Sequence, residues 1–260
     1  MIDVDALSAA LQAASDATYA RALGREVTTL RGLRGVPNAE IARIASETWK
    51  ASPVDLDTDE AALGALFSTS FDDGLLAIAL LATRVSDQPA EVLEIGLDWL
   101  TRVDDHQTAD ALGWVVLGPA AMRASGSVLG LHEHIDKESH PCARRAIMMT
   151  GMALLPVPVE SVAAAGLRAR FDTGSLALTD RVHGDELAAL CTLFYRDDAP
   201  AVRKALRRVL GAWGRLEPDA CEEWADTQRG GIARMLREEV TEVVKRARRK
   251  LKRIEGAEPG

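Results

Sequence analysis

The sequence predicts an all-α protein: an α-solenoid, or α–α superhelix, of stacked antiparallel helix pairs. Three observations predict it. Ala and Leu, strong helix formers, are abundant in a chain with only 4% aromatic residues, so few segments are built for a sheet. Helical apolar spacing recurs along the chain, interrupted by short polar or Pro/Gly stretches. The second helix of each pair also repeats a small-then-aliphatic step in one register: Leu76-Ala77-Ile78, Asp110-Ala111-Leu112, Arg145-Ala146-Ile147 and Lys204-Ala205-Leu206. The alanines in these steps are 34, 35 and 59 residues apart. Two-helix periods of about 35 to 45 residues mark a solenoid, because one helix pair cannot bury its apolar face alone.

Asp5 to about Leu23 contains neither Pro nor Gly and predicts one helix, with Gly24 as its stop. Leu30 to Asn38 holds two glycines and a proline and reads as a loop. Ala39 to about Lys50 follows as a helix with Ile41, Ile44 and Ala45 on one face. Four pairs then succeed one another: Asp59–Ser68 with Asp72–Val85, Pro89–Leu100 with His106–Leu117, Val128–Asp136 with Cys142–Leu155, and His183–Phe194 with Ala201–Trp213. Asp104-Asp105, Ser139-His140-Pro141 and Asp197-Asp198 break the last three pairs. The long third interval points to an insertion at about 156–181, with one short helix around Glu160–Arg170. The domain so defined spans 1–255, followed by a short tail at 256–260.

Charge narrows the function classes. The net charge is −8, yet residues 201–260 carry 15 Lys/Arg against 10 Asp/Glu, while residues 1–200 carry 16 against 29. The basic excess peaks from Lys245 to Arg253. Such a run is either a nucleic-acid patch or the solvated basic end of a terminal helix, where cations suit the helix dipole. No stretch of eighteen uncharged apolar residues is present, so a membrane span is not expected. Met1-Ile2-Asp3-Val4-Asp5 lacks the basic start and apolar core of a signal peptide. The three scattered cysteines, Cys142, Cys191 and Cys221, suggest neither a disulfide framework nor a zinc motif. Together these predict a cytoplasmic protein.

His132, Glu133, His134, Asp136, His140 and Cys142 form a local group of potential metal ligands. His132 and His134 are two residues apart, so on a helix they point away from each other, and no metal site is expected. Nothing resembles a phosphate loop, a dinucleotide motif or a Ser-His-Asp arrangement.

Several segments, taken in order, resemble the AlkD-like family of alkylpurine DNA glycosylases, which are built from HEAT-like repeats. Arg31-Gly32-Leu33-Arg34-Gly35-Val36-Pro37-Asn38-Ala39-Glu40-Ile41-Ala42 is similar to the family's opening, and Ala62–Leu81 to the repeat after it. Leu100-Thr101-Arg102-Val103-Asp104-Asp105-His106-Gln107-Thr108-Ala109-Asp110 resembles its catalytic-aspartate segment, and Cys142-Ala143-Arg144-Arg145-Ala146-Ile147 its arginine segment. Asp185-Glu186-Leu187 through Val202-Arg203-Lys204-Ala205-Leu206 resembles the last strong repeat. The likeness is collinear from about Asp5 to Val244 and rests on order and spacing.

This resemblance implies a monomeric, cofactor-free, monofunctional glycosylase acting on alkylated duplex DNA. It places Asp110 on the family's catalytic aspartate and Arg145 on its active-site arginine. The family frames its site with two tryptophans. Here one falls on His106 and the other on Arg207 or Arg208, and both are departures. Trp114, four residues after Asp110, is either a neighbour of that carboxylate or part of the core.

The chemistry would be economical. An N3- or N7-alkylated purine already carries positive charge and leaves without much acid help. One carboxylate near the anomeric carbon can then stabilise oxocarbenium character and position water. Asp110 would do this, with His106 one turn before it as a candidate partner, a DNA contact or a plain surface residue. Arg145 and Lys204, on neighbouring repeats, would grip backbone phosphates on either side, and Arg144, Arg203, Arg207 and Arg208, with Lys245 and Arg246 further on, are further candidate DNA contacts.

Two alternatives stand beside the glycosylase: a non-catalytic binder of damaged or branched DNA, and a protein-interaction scaffold, which the overall acidity favours. Two structural questions separate them. One is whether Arg144, Arg145, Arg203, Lys204, Arg207 and Arg208 gather on one surface. The other is whether Asp110 faces it unpaired or sits in a buried salt bridge.

Overall fold

The computed structural model describes residues 1–156, 181–228 and 234–255. Among them every regular element is helical, and the one isolated bridge joins Gly32 to Ser70. The expected helix at Glu160–Arg170 lies outside the described residues, as does most of the 156–181 insertion.

The first expected helix is two: α1 (Val4–Ala13) and α2 (Ala17–Leu23). Asp16 makes the break. Its Oδ1 accepts from the Thr18 and Tyr19 amides at 2.6 and 3.0 Å, so it caps α2 rather than continuing α1. Its own amide donates to the Gly35 carbonyl at 3.0 Å. Gly35 has φ +77°, and a Cβ there would lie 2.5 Å from the Ala20 side chain, so only glycine lets this loop seat against α2.

The pairs then follow as expected: α3 (Asn38–Ala51), α4 (Leu56–Thr69), α5 (Phe71–Ala82) and α6 (Pro89–Trp99). A single residue, Ser70, separates α4 from α5 and forces them back on one another. Phe67 of α4 stacks on Trp99 of α6 at 4.3 Å between ring centroids.

The helix starting at His106 outruns its expected end at Leu117. It comprises α7 (His106–Ala111), a π-helical segment (Leu112–Leu117) and α8 (Gly118–Ala124). Pro119 supplies no N–H and its ring crowds the carbonyl four residues back, which gives a physical reason for the wider π turn. Inside it Gly113 allows the closest backbone approach: a Cβ there would fall 2.0 Å from the Ala146 carbonyl oxygen.

The expected α-helix at Val128–Asp136 is instead a 3-10 segment, Leu129–His134. Next come α9 (Pro141–Met149), tightening into a 3-10 turn at Thr150–Leu154, then α10 (Gly184–Phe194) and α11 (Pro200–Leu216). Two further helices, α12 (Pro218–Thr227) and α13 (Arg234–Glu255), pack on α11, and α13 carries the basic run.

The second helices form a continuous row in which α5 packs on α7 and its π segment, α7 on α9, α9 on α11 and α11 on α13. The register alanines Ala77, Ala111, Ala146 and Ala205 are all fully buried along this row. It is an α-solenoid, with one contiguous apolar core running through the stack. Trp114 is fully buried within that core. No described helix is long and apolar enough to cross a membrane.

Candidate functional site

Asp110 and Arg145 lie on adjacent helices of the row because they share its register, and they meet directly. The Arg145 guanidinium forks the carboxylate: Nε donates to Oδ1 at 2.7 Å and Nη2 to Oδ2 at 2.8 Å. Nη1 of Arg145 donates to the Ala201 carbonyl at 2.7 Å, so one side chain ties α7, α9 and the first turn of α11 together. Arg208, two turns further along α11, adds a third contact through Nη1 to Oδ2. Asp110 therefore does not stand unpaired. Its side chain is 6% exposed and that of Arg145 is 3%, whereas that of Arg208 is 36%.

His106 occupies the first turn of α7, whose N-cap is Asp105, accepting from the Gln107 and Thr108 amides at 2.9 and 2.8 Å. Burial, and then the Arg145 charge, hold its imidazole below its ordinary pKa; Lys204 acts in the same direction, and Asp110 and Asp105 oppose. At neutral pH it is an uncharged ring beside a cationic cluster. Cys142, at the start of α9, is pushed up to about 11, first by burial and then by Asp105. It is a thiol, not a thiolate nucleophile.

The six cations of the sequence reading gather only in part. Arg145, expected to grip a phosphate, is instead buried in the pair, with Nε, Nη1 and Nη2 all bound within the protein. Arg144 turns away: its Nε donates to Asp197 at 2.8 Å and its Nη1 to the Lys137 carbonyl at 3.0 Å, and Asp197 raises its pKa. It braces the loop before α11. Arg203, Lys204, Arg207 and Arg208 share the first half of α11, with Arg203 and Lys204 exposed and Arg207 and Arg208 partly buried. Arg203 donates from Nε to the Asp197 carbonyl at 3.1 Å. Lys245 and Arg246 are exposed on α13, where Arg246 lies 3.5 Å from Glu242.

His132 Nδ1 lies 2.6 Å from the Leu129 carbonyl, and His140 Nδ1 accepts from the Cys142 amide at 3.3 Å. Among the described residues no three His, Cys, Asp or Glu side chains are grouped to hold a metal.

The sequence reading missed a second charged hub. Arg31 reaches from the N-terminal loop to Asp104 at 3.2 Å, Asp105 at 2.7 Å, Thr108 at 2.9 Å and the Phe67 carbonyl at 3.0 Å. Arg34 binds Asp73 at 2.7 Å, and Asp72 accepts from the amides of Arg34, Gly35 and Val36. The Asp-Asp pairs at 72–73, 104–105 and 197–198 were the available signal. Each stands at or just before the start of a second helix, and in each at least one member holds an arginine from another segment.

A family model described as DNA alkylation repair enzyme matches residues 7–156, which includes Asp110 and Arg145 and ends before α11. The chain shows no match to a curated protein or to a solved structure. With more than half of its length matched, this chain belongs to the DNA alkylation repair enzyme family.

Proposed function

We propose that the protein hydrolyses the N-glycosidic bond of cationic N3- or N7-alkylated purines in duplex DNA, with Asp110 as the reacting carboxylate. The observation that carries this reading is the Asp110–Arg145 fork on the helix row, with the partly exposed Arg208 as the second cation on its Oδ2. The fork fixes the carboxylate's orientation and places it in the row of second helices. A carboxylate held in one orientation is what is needed to stabilise an oxocarbenium-like sugar and to orient an attacking water. The leaving base is already cationic, so no general acid is required, and the neutral His106 agrees with that. Arg203 and Lys204 are the phosphate contacts, positioning the duplex without reading its sequence.

A second reading is favoured by one specific feature. Both Asp110 oxygens are engaged, and two guanidiniums with Lys204 nearby outweigh the single carboxylate. Such a cationic cluster suits a phosphate better than a cationic base, and it supports a binder of damaged or branched DNA that cleaves nothing.

Release of methylated purine from N-methylated duplex DNA at low salt separates the two. The hydrolytic reading expects release by the wild type and its loss in Asp110→Asn, measured below the variant's melting temperature with duplex binding intact. Salt-sensitive duplex binding with no release by the wild type would leave the non-cleaving binder.

A further inference from the structure

The two arginines on Asp110 are not equivalent. Arg145 is 3% exposed, spans both carboxylate oxygens, and has its remaining Nη bound to the Ala201 carbonyl. It cannot leave without opening the contact between α9 and α11. Arg208 is 36% exposed and touches Oδ2 alone; among the described residues Asp110 is its ion-pair partner. It lies one helical turn beyond Lys204, on the same side of α11. A strand backbone crossing the exposed Arg203 and Lys204 therefore brings phosphates to the solvent-facing side of the Arg208 guanidinium. Guanidinium forks phosphate as readily as carboxylate.

We propose that Arg208 is a displaceable cap on Asp110: it covers Oδ2 in the free protein, and a backbone phosphate of the seated duplex draws it off. Arg208 is then a positioning residue, coupling DNA binding to exposure of the carboxylate. Its departure also changes the local charge. With both arginines in place the trio is net cationic; with Arg145 alone the pair is neutral. A neutral pair tolerates a cationic base and a developing oxocarbenium far better than a cationic trio. Water and anions meanwhile find the carboxylate covered until DNA is present. This inference rests on reading α11 as a DNA contact and Asp110 as the carboxylate that matters.

The test is a double-mutant cycle on binding of an unmodified oligonucleotide duplex, followed by fluorescence anisotropy over a KCl series at low temperature. Asp110→Asn loosens the hold on Arg208, so it should tighten binding about three- to five-fold in the wild-type background. That gain should vanish in the Arg208→Met background, and Arg208→Met should itself lower the salt slope by about one. An equal gain in both backgrounds is plain long-range electrostatics and overturns the cap. So does an unchanged slope in Arg208→Met. Should Asp110→Asn not fold, guanidinium NMR of the wild type decides, with signals assigned through Arg208→Met. Adding duplex should shift the Arg208 Nη–H signals and leave those of Arg145 in place, and unmoved Arg208 signals sink the proposal. Every readout is of binding, so absence of purine release defeats only the hydrolytic reading. A wild type that binds no duplex defeats both.

Discussion

Asp110→Asn keeps the size of the side chain and one carbonyl acceptor. It removes the charge and turns the other oxygen into an amide NH2. Arg145 presents N–H donors to both positions, at 2.7 and 2.8 Å, so one donor must face another in the variant. Neither side chain can escape to water, with exposures of 6% and 3%. Removing one partner of a buried pair costs about 3–5 kcal/mol, because the other charge is left uncompensated. Retention of one hydrogen bond and of the Ala201 contact puts Asn at the lower end, about 3 kcal/mol. In a chain of this size each kcal/mol moves Tm by roughly 2–4 °C, so the expected fall is about 6–12 °C. Circular dichroism at 222 nm with a thermal ramp reads it directly. The cycle is completed with Arg145→Met and the double variant, whose loss should be smaller than the sum of the single losses, since it buries no orphaned charge. A fall under about 2 °C for Asp110→Asn, or strict additivity in the cycle, would refute the claim that the pair is buried and mutually compensating. Arg208→Met is the internal contrast: its half-exposed contact should contribute no more than about 1 kcal/mol.

Two other predictions follow from the same geometry. Burial and the Arg145 charge depress the His106 pKa in the folded protein, so below the ordinary value near 6.5 the unfolded chain binds the extra proton. Stability is therefore full above about pH 6.5 and falls as pH drops through that value toward the lowered folded pKa. Urea midpoints across pH 5 to 8 should show this acid-side slope in the wild type and less of it in His106→Gln; equal slopes would count against the assignment. Gly113→Ala should lower Tm by an amount equivalent to about 3 kcal/mol, because its Cβ would meet the Ala146 carbonyl oxygen at 2.0 Å. Gly211→Ala, whose Cβ meets only the Arg215 guanidinium at 4.0 Å, should instead raise stability by roughly 0.5–1 kcal/mol through helix propensity. The same sign for both would contradict the packing described along the helix row.

The helix boundaries that the sequence misplaced share a cause. Asp16 splits the first expected helix because a side-chain carboxylate outcompetes helix continuation for two amides. The chain after Leu117 stays helical because Pro119 is accommodated by a π turn, which packs closely on the α9 backbone at Ala146. Apolar periodicity reports which face is buried and is indifferent to either device. Arg31 is the clearest omission. In sequence it is a loop arginine beside Gly32; in the structure it bonds Asp104, Asp105 and Thr108 from more than seventy residues away.

By itself the sequence determined the helical class, the row register of Ala77, Ala111, Ala146 and Ala205, and the placement of Asp110 and Arg145 on neighbouring helices of that row. These follow from local propensity and spacing, which act over a few turns. Only the tertiary structure decided what the charged side chains do. Asp110 is clasped by Arg145 from 35 residues away and by Arg208 from 98, while Arg144, the very next residue, is turned to Asp197. The physical reason is range and direction. An ion pair is made or lost within an ångström or two, and adjacent residues on a helix point about 100° apart. Which arginine meets which carboxylate is therefore settled by how the helices stack.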